Sequence, residues 1–251
     1  MSGLTLTPLT GFPPIEPGDS LPELVRAALA RAELQLIDGD ILVVCQKAVS
    51  KAEGRVVRLQ DVRPSPFALA FAKRWPDKDP RFVELVLQHT RRIVRMDRGH
   101  LIVETGPGWV CANAGIDASN TTRDGEVVLL PEDADRSAST LQEALQRSSG
   151  ARIAVMITDT WGRPWREGIL DFAIGVAGME ALLDLRGTTD WNGRLLHHTI
   201  YAQADALAAA AGLLMRKDSG VPAVHIRGYS YSPATGSARS LIRDPESDLF
   251  R

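Results

Sequence analysis

The sequence predicts a mixed α+β (α/β) fold in one domain, and two observations support this prediction. Segments with helical and with strand periodicity interleave along all 251 residues, but they do not alternate strictly as in a doubly wound sheet. No stretch has the composition of a linker. We therefore predict a single domain over residues 1–251; if it has a subdomain boundary, the loop near residue 150 is the best place for it.

The composition is that of an ordinary globular protein. Apolar residues make up 44% of the chain and charged residues 24%, and the net charge of −2 excludes nucleic-acid binding by bulk charge. The N-terminus lacks the pattern of a signal peptide, and no apolar run is long enough to span a membrane. We expect a cytoplasmic protein without a membrane partner. Cys45 and Cys111 lie in apolar runs and are expected to be buried and reduced, although the sequence leaves a disulfide between them open.

Five helices are predicted from capping residues followed by helical periodicity. Ser20 with Glu23 and Ser139 with Gln142 form capping-box patterns, and an Asp-Pro pair at 79–80 is typical of a helix start. The predicted helices span residues 18–34, 65–75, 79–92, 139–149 and 203–217.

The strands are predicted from short apolar runs bounded by turn residues. They span residues 41–45, 100–105, 109–115, 126–131, 152–160, 172–179 and 222–228. The turn "GPG" at 106–108 separates the second and third strands, and residues 46–54 are predicted to form a polar loop. His197 and His198 are interpreted as a strand pair with one side chain inward and one outward.

Two acids follow apolar runs at the points where strands are predicted to end. Asp117 lies in "NAGIDASN" and Asp159 in "ITDTWGRPWREG", where Thr160 follows it. Oxygen ligands suit Mg²⁺ and Mn²⁺, which often bridge one or two carboxylates to substrate phosphates. Because Asp commonly caps turns and helices, the spacing alone also fits two structural acids.

The basic residues near these acids allow two interpretations each. Lys47 and Lys51 could bind phosphate oxygens or belong to a solvated loop. Arg163 and Arg166 could clamp a carboxylate or phosphate, or pack over the neighbouring tryptophans. Neither a P-loop nor a dinucleotide-binding glycine motif is present in the sequence.

Several stretches together resemble one enzyme family. "TGFPPIEPGDSL", "DGDILVVCQKAVSKAEGR", "NAGIDASN", "ITDTWGRPWREG" and "LLMRKDSGVPAVHIRG" occur in the order and spacing of the coenzyme F420:L-glutamate ligases, also called F420-0:γ-glutamyl ligases. The resemblance extends from about Pro8 to Gly228.

The resemblance implies a GTP-dependent amide ligase with an unusual α+β fold and an intertwined homodimer. Such an enzyme joins the amino group of L-glutamate to the carboxylate of F420-0, through an acyl phosphate, and then extends the tail by γ-glutamyl bonds. The family uses Mn²⁺ or Mg²⁺ and is aided by K⁺. The mechanism requires no covalent nucleophile on the protein.

The resemblance also implies roles for individual residues. The residues expected in catalysis are Asp117, Asp159 and Lys51. The expected metal ligands are Asp117, Asp159, Thr160 and Asp218. The expected nucleotide contacts are Gly11, Phe12, Pro13, Pro14, Gln46, Lys47, Lys51, Asn120, Met215, Arg216, Lys217, Asp218, Ser219 and Gly220. Arg163 and Arg166 are expected to bind the acid substrate.

The loop at 215–221 departs from the family pattern. Archaeal members have a longer, glycine-rich loop whose glutamate binds the second metal, whereas this chain has Lys217 and Asp218 there. Either Asp218 takes the place of that glutamate, or Lys217 replaces the cation. Some bacterial relatives carry a C-terminal nitroreductase-like domain, which is not expected here because the chain ends at Arg251.

Three other functions are compatible with the residues. One is a ligase of the same family with a different acid acceptor. Another is a metal-dependent phosphatase or hydrolase, since paired acids after strands suit that chemistry too. A third is a nucleotide-binding regulatory module without turnover.

Overall fold

The computed structural model describes residues 3–121 and 123–249, and these residues form a mixed α+β fold, as predicted. The helices of this part of the chain are α1 Leu21–Arg31, α2 Gln46–Ala52, α3 Pro66–Arg74, α4 Pro80–Gln88, α5 Ala134–Ser149 and α6 Gln203–Gly212. Its strands are β1 Thr5–Leu9, β2 Ile41–Cys45, β3 Val56–Arg58, β4 Thr90–Asp97, β5 His100–Thr105, β6 Val110–Ala112, β7 Glu126–Val128, β8 Ala154–Arg163, β9 Arg166–Met179, β10 Leu183–Asp184, β11 Ile200–Tyr201, β12 Ala223–Arg227 and β13 Pro233–Ala234.

A six-stranded sheet forms the centre of the protein, in the order β1-β12-β2-β8-β9-β13. Strands β2 and β8 are parallel, whereas the other neighbours are antiparallel. The two parallel strands are continuous apolar runs, and Val43, Val44 and Ile157 have no exposed surface. Helices α5 and α6 both pack against β9. This sheet places the ends of β2 and β8 side by side.

A second hydrophobic core lies in the middle of the chain. The sheets β4-β5-β6 and β3-β7 pack with α3 and α4 around Phe71, Val86, Leu101, Val103 and Val127. Helix α5 and strand β8, which flank residue 150, both belong to the hydrophobic core around the six-stranded sheet. The boundary near residue 150 stays a prediction.

Most predicted elements are confirmed, but several boundaries are wrong. Residues 46–52 form a helix rather than a polar loop: Lys47 and Lys51 lie one helical turn apart, and the buried residues are Gln46, Ala48, Val49 and Ser50. The helix predicted at 79–92 ends at Gln88, and residues 90–97 form an edge strand. Sequence reasoning also missed β1 and β3.

The two predicted capping boxes do not form. Ser20 occupies the N-cap position of α1, but its side chain makes no capping hydrogen bond. Helix α5 begins at Ala134 instead of near Ser139, because the Asp133 carboxylate accepts a hydrogen bond from the Arg136 amide. By contrast, Asp79 caps α4 as predicted.

Two further predictions concern isolated residues. His197 and His198 both lie exposed in an irregular segment, so the predicted strand pair is wrong. Cys45 and Cys111 are both free thiols, as expected, but only Cys111 is buried, whereas Cys45 is partly exposed. Within residues 3–121 and 123–249, no helix combines the length and the apolarity that crossing a bilayer would require.

Gly175 allows α5 to approach β9 closely. A Cβ atom at this position would overlap with the backbone oxygen of Ala134. We expect Gly175→Ala to lower the free energy of unfolding by about 2 to 3 kcal/mol, because backbone must move to relieve the clash. Gly162→Ala in the same hairpin is the control, since a Cβ atom there would meet nothing within 4 Å. Urea unfolding of both variants checks this, and equal stabilities would contradict the packing described.

Candidate active site

A cleft of about 550 Å³ opens where β2 and β8 end. It is enclosed by the segment 12–15, the start of α2, the loop after β6 and the loop 215–222. The lining residues are Phe12, Pro13, Pro14, Ile15, Cys45, Gln46, Lys47, Ala48, Lys51, Asp117, Asn120, Thr158, Asp159, Thr160, Met215, Arg216, Lys217, Asp218, Gly220, Val221 and Pro222. The fold therefore brings together most of the predicted site residues from five separate segments.

Asp117 is fixed by its backbone and its side chain. Its amide donates to the carbonyl oxygen of Val128 at 3.1 Å, and its carbonyl accepts from the Val128 amide at 2.8 Å. Its Oδ1 accepts a hydrogen bond from the Ser119 amide at 2.7 Å, which closes a tight turn. The second oxygen, Oδ2, faces the lysines of the cleft.

Lys47 and Lys51 lie on one face of α2 and reach the loop that carries Asp117. The Lys47 ammonium lies 2.9 Å from Asp117 Oδ2 and donates to Ser119 Oγ at 2.6 Å. The Lys51 ammonium donates to the carbonyl oxygen of Asn120 at 2.7 Å. Lysines four residues apart project from the same side of a helix, so α2 presents both to the cleft.

The end of β8 carries Asp159 and Thr160, and a bulge in β9 places a third acid beside them. Ile157 pairs with Gly175 but Thr158 pairs with Ala173, so one residue of β9 is extra at this point. As a result Asp171 lies opposite Thr160, whose hydroxyl donates to Asp171 Oδ1 at 2.5 Å. Sequence reasoning missed Asp171, which is buried and is not among the residues that line the cleft.

The acids have different electrostatic environments. Burial raises the pKa of Asp159 to about 7, and the charges of Asp117 and Asp171 add to this effect. Burial also raises the pKa of Asp171. For Asp117, burial opposes ionisation, but the hydrogen bonds from Ser119 and Lys47 outweigh it and hold its pKa well below the usual range. Asp159 is thus the acid whose ionised form a bound cation would stabilise most.

The loop at 215–221 places its two charged residues differently. The Lys217 ammonium lies 3.1 Å from Asp117 Oδ2, and the Asn120 amide donates to the Lys217 carbonyl at 3.2 Å. The exposed Asp218 carboxylate accepts two hydrogen bonds from Arg216, at 2.9 and 3.0 Å. Lys217 therefore carries positive charge toward the acids, whereas Asp218 is paired within its own loop.

The donor set of the cleft fits a divalent cation that also binds phosphate. Among the described residues, no three His, Cys, Asp or Glu side chains form a complete metal site. Asp117 and Asp159 line one cleft, and no basic side chain in the described ranges forms a salt bridge with Asp159. Two carboxylates completed by hydroxyl, water and phosphate oxygens are typical of Mg²⁺ and Mn²⁺ in phosphoryl-transfer sites.

Four predicted site residues are not among the described residues that line the cleft. Gly11 lies next to the lining segment, and its carbonyl accepts a hydrogen bond from Arg31 at 2.9 Å. Ser219 donates its hydroxyl to the carbonyl of Arg216. Arg163 and Arg166 pair across the tight turn of the β8–β9 hairpin. Their roles in nucleotide and substrate binding stay predictions.

Neither cysteine is suited to nucleophilic catalysis. Burial raises the pKa of the Cys45 thiol, although Cys45 lines the cleft. Burial raises the pKa of Cys111 to about 12. A thiol that stays protonated at neutral pH is a poor nucleophile.

Comparison with known proteins defines the class. The family model described as F420-0:Gamma-glutamyl ligase matches residues 11–228. The chain belongs to this family and is an enzyme of the ligase class.

Relatives from three archaea carry the same name, "Coenzyme F420:L-glutamate ligase". The protein of Methanothermobacter thermautotrophicus is 44% identical, and the match covers 99% of each chain. The protein of Methanopyrus kandleri is 45% identical over 94% of this chain and 93% of its own. The protein of Archaeoglobus fulgidus is 41% identical over 97% of this chain and 95% of its own.

Proposed function

We propose that this enzyme forms an amide between the amino group of L-glutamate and the carboxylate of F420-0, at the expense of GTP, in the biosynthesis of coenzyme F420. The observation that carries the proposal is the convergence of Asp117, Asp159, Lys47, Lys51 and Lys217 on one cleft in a member of this family. The relatives' names specify F420 and glutamate. The proposal places the enzyme in the cytoplasm, with GTP as co-substrate and further γ-glutamyl additions after the first.

In the first step, a carboxylate oxygen of F420-0 attacks the γ-phosphorus of GTP. The bond to the β-phosphate oxygen breaks, GDP leaves, and an acyl phosphate forms. Negative charge spreads over the transferring phosphoryl group, and ammonium groups placed around it lower the barrier. Lys47 and Lys51 on α2, together with Lys217 from the facing loop, are the groups that we assign to this role.

In the second step, the amino nitrogen of L-glutamate attacks the carbonyl carbon of the acyl phosphate. The amino group first gives up one proton to become a neutral nucleophile; the new C–N bond then forms, the C–O bond to the phosphate breaks, inorganic phosphate leaves, and the nitrogen loses a second proton to solvent. The protein contributes by holding the three reactants together, since intramolecular geometry supplies much of the acceleration in such reactions. The cleft walls formed by segment 12–15 and loop 215–222 would keep water from the acyl phosphate.

We assign Asp117, Asp159 and Thr160 to a divalent cation, Mn²⁺ or Mg²⁺. Such an ion would neutralise charge on the β- and γ-phosphates. The pairing of Asp218 with Arg216 and the approach of Lys217 to Asp117 support the alternative in which Lys217 replaces a second cation. A ligand role for Asp218 and an effect of K⁺ stay predictions.

The purified protein tests the proposal directly when it is incubated with GTP, Mn²⁺, L-glutamate and F420-0. We expect mass spectrometry to detect F420-0 with one or more added glutamyl residues, GDP release that requires F420-0, and GDP release beyond the first turnover that also requires L-glutamate. Phosphate release that does not depend on L-glutamate, without a new amide, would favour a hydrolase instead. GDP release only with another acid would favour a related ligase.

The proposed homodimer is supported by large apolar side chains that are exposed on the β8–β9 hairpin and on the segment before β11. Trp191 is fully exposed, Trp165 is 81% exposed and Ile169 is 61% exposed. Large exposed apolar patches are typical of interfaces between subunits. We expect sedimentation to detect a dimer. The double variant Trp191→Glu, Ile169→Glu should raise the dissociation constant of this dimer at least tenfold. The control Ile37→Glu, which also alters an exposed apolar side chain, should leave the dissociation constant unchanged. A monomeric wild-type protein would contradict the assignment.

A further inference from the structure

Asp171 is a buried acid whose side chain has one hydrogen-bond partner among the described residues. The residue is 8% exposed, and its Oδ1 accepts a hydrogen bond from the Thr160 hydroxyl, with 2.5 Å between the two oxygens. Within the described ranges, Asp171 forms no salt bridge. Because a buried carboxylate with a single neutral partner destabilises a fold, stability alone does not explain this residue.

The strand pairing places Asp171 directly beside a residue of the cleft wall. Asp171 on β9 and Thr160 on β8 are partners in the ladder of the hairpin. Thr160 is among the residues that line the cleft, whereas Asp171 is not. The hydrogen bond between them therefore connects a side chain of the cleft wall with an acid outside the cleft.

This hydrogen bond uses the only proton of the Thr160 hydroxyl. A hydroxyl group has one proton and two lone pairs, so the lone pairs of Thr160 Oγ1 stay available for another partner. A cation needs an oxygen whose lone pair, and not its proton, faces it. In metal sites, a hydrogen bond from a ligand to a carboxylate fixes the orientation of that ligand and raises its basicity.

The end of α6 leaves room for the Asp171 carboxylate at Gly212. A Cβ atom at position 212 would lie 2.7 Å from both Cγ and Oδ2 of Asp171. Gly212 is the last residue of α6, and its φ lies outside the left-handed region, so its backbone conformation does not require a glycine. The absent side chain instead allows the acid to stay beside Thr160.

We propose that Asp171 is a positioning residue for the divalent cation: it accepts the proton of the Thr160 hydroxyl and thereby presents the Thr160 oxygen to the ion. The inference rests on the proposed function through the assignment of Thr160 to that ion. Asp171 contacts neither the ion nor a substrate, and this separates it from Asp117 and Asp159. Its effect requires the hydroxyl, whereas a direct attraction between its charge and the ion would not.

The test measures binding of Mn²⁺ to the protein with saturating GDP, from the electron paramagnetic resonance signal of free Mn²⁺. Asp171→Asn keeps the size of the side chain but replaces a charged acceptor by a weaker, neutral one. We expect it to raise the dissociation constant of Mn²⁺ about tenfold, as is usual when the partner of a metal ligand is replaced. Thr160→Val should raise this constant at least as much, and Thr160→Ser, which keeps the hydroxyl, by less than about threefold.

Asp205→Asn is the control for the loss of a buried acid. Asp205 accepts a hydrogen bond from the Ala173 amide on the same strand as Asp171, and it does not line the cleft. Its replacement should leave the dissociation constant of Mn²⁺ unchanged. A similar loss of Mn²⁺ affinity in Asp205→Asn and Asp171→Asn would show a general effect of buried acids and overturn the inference.

The double variant Asp171→Asn, Thr160→Val separates a positioning role from the alternatives. If Asp171 acts only through the hydroxyl, the double variant should bind Mn²⁺ within about twofold of Thr160→Val alone, because effects within one hydrogen-bonded pair are not additive. If Asp171 attracts the ion by its charge, or supports the whole site, replacing it should weaken Mn²⁺ binding in the Thr160→Val background as well. That additive result would contradict the inference.

Gly212→Ala decides the question if Thr160→Val does not fold. The added Cβ atom would displace the Asp171 carboxylate while leaving its charge and the Thr160 hydroxyl in the protein. We expect the dissociation constant of Mn²⁺ to rise about fivefold or more. In Gly162→Ala, a Cβ atom meets nothing within 4 Å, so Mn²⁺ binding should not change. Wild-type affinity for Mn²⁺ in both Gly212→Ala and Asp171→Asn would overturn the inference.

Ligation assays on the same proteins distinguish this inference from the proposed function. If the wild type adds glutamate to F420-0 but Asp171→Asn binds Mn²⁺ as tightly as the wild type, the inference is wrong and the proposed function stands. If Mn²⁺ binding follows the expected pattern but the wild type adds no glutamate, the inference stands and the proposed function fails. If the wild type binds no Mn²⁺ with GDP, the inference fails together with the assignment of the cation.

Discussion

Asp159→Asn is expected to abolish ligation and, at the same time, to stabilise the metal-free protein. Asp159 lines the cleft, and we assign it to the cation that neutralises the transferring phosphates. Loss of such a group costs roughly a thousandfold or more in turnover. We expect the GTP-dependent addition of glutamate to F420-0 to fall at least a thousandfold, while circular dichroism remains that of the wild type.

The stability effect follows from the pKa of Asp159. Its pKa is about 7 in the folded protein, against 3.8 for an unperturbed aspartate, so the folded state favours the protonated acid. The destabilising effect of the charge is absent below about pH 4, grows as the pH rises, and is complete above about pH 7. At pH 8 we expect Asp159→Asn to raise the free energy of unfolding by about 2 to 4 kcal/mol, and at pH 4 by nearly nothing.

Asp205→Asn is the matched control for both measurements. Burial also raises the pKa of Asp205, but this residue lies in the first turn of α6, accepts a hydrogen bond from the Ala173 amide and does not line the cleft. It should keep ligation within a few-fold of the wild type. Added Mn²⁺ should stabilise the wild type and not Asp159→Asn. A variant of Asp159 that still ligates glutamate, or one that is less stable at pH 8, would contradict the account.

Lys47→Met is expected to have the second-largest effect. The Lys47 ammonium contacts Asp117 Oδ2 at 2.9 Å and both oxygens of Ser119, so it fixes the acid-bearing loop against α2. Its removal takes one ammonium from the phosphoryl group and leaves Asp117 with Lys217 as its remaining ion pair among the described residues. We expect kcat/KM for GTP to fall about a hundredfold or more, because charge-assisted contacts at the transferring group are lost.

The same variant should change the pH dependence of stability. Lys47 helps to hold the pKa of Asp117 below its usual range, and a depressed acid stabilises the fold above its unfolded pKa. Lys47→Met should therefore lower the free energy of unfolding at pH 7 by about 1 kcal/mol, and this difference should persist near the ordinary pKa of an aspartate and shrink only at still lower pH, as the pH falls through the lowered pKa of Asp117. Lys73→Met removes an exposed lysine of α3 and should change neither kcat/KM for GTP nor the free energy of unfolding. Full activity in Lys47→Met would exclude a role at the phosphates.

The sequence predicted the central strands well because the pattern that identifies them lies within each short segment of the chain. Strands β2 and β8 are short apolar runs, and burial on both faces of a sheet selects such runs. Helix α2 was mistaken for a loop since its seven residues are largely polar and follow a strand without a break. Strand β4 was missed because "TRRIVRMD" is exposed along its length and its pattern continues that of α4.

The sequence predicted which residues form the site, but not which of them contact one another. The family resemblance indicated Asp117, Asp159 and the lysines, and the fold brings these residues to one cleft. The approach of Lys217 to Asp117 depends on a loop conformation that no local pattern specifies. Asp171 was missed because its position opposite Thr160 depends on a bulge, and one residue of register decides which side chain of β9 lies beside Thr160.

The most direct test of the central claim is the anomalous scattering of Mn²⁺ in crystals of this protein grown with GDP. We expect one ion within about 2.0 to 2.3 Å of carboxylate oxygens from both Asp117 and Asp159, with a phosphate oxygen completing its coordination. An ion bound elsewhere, or one that contacts neither or only one of these two carboxylates, would contradict the account.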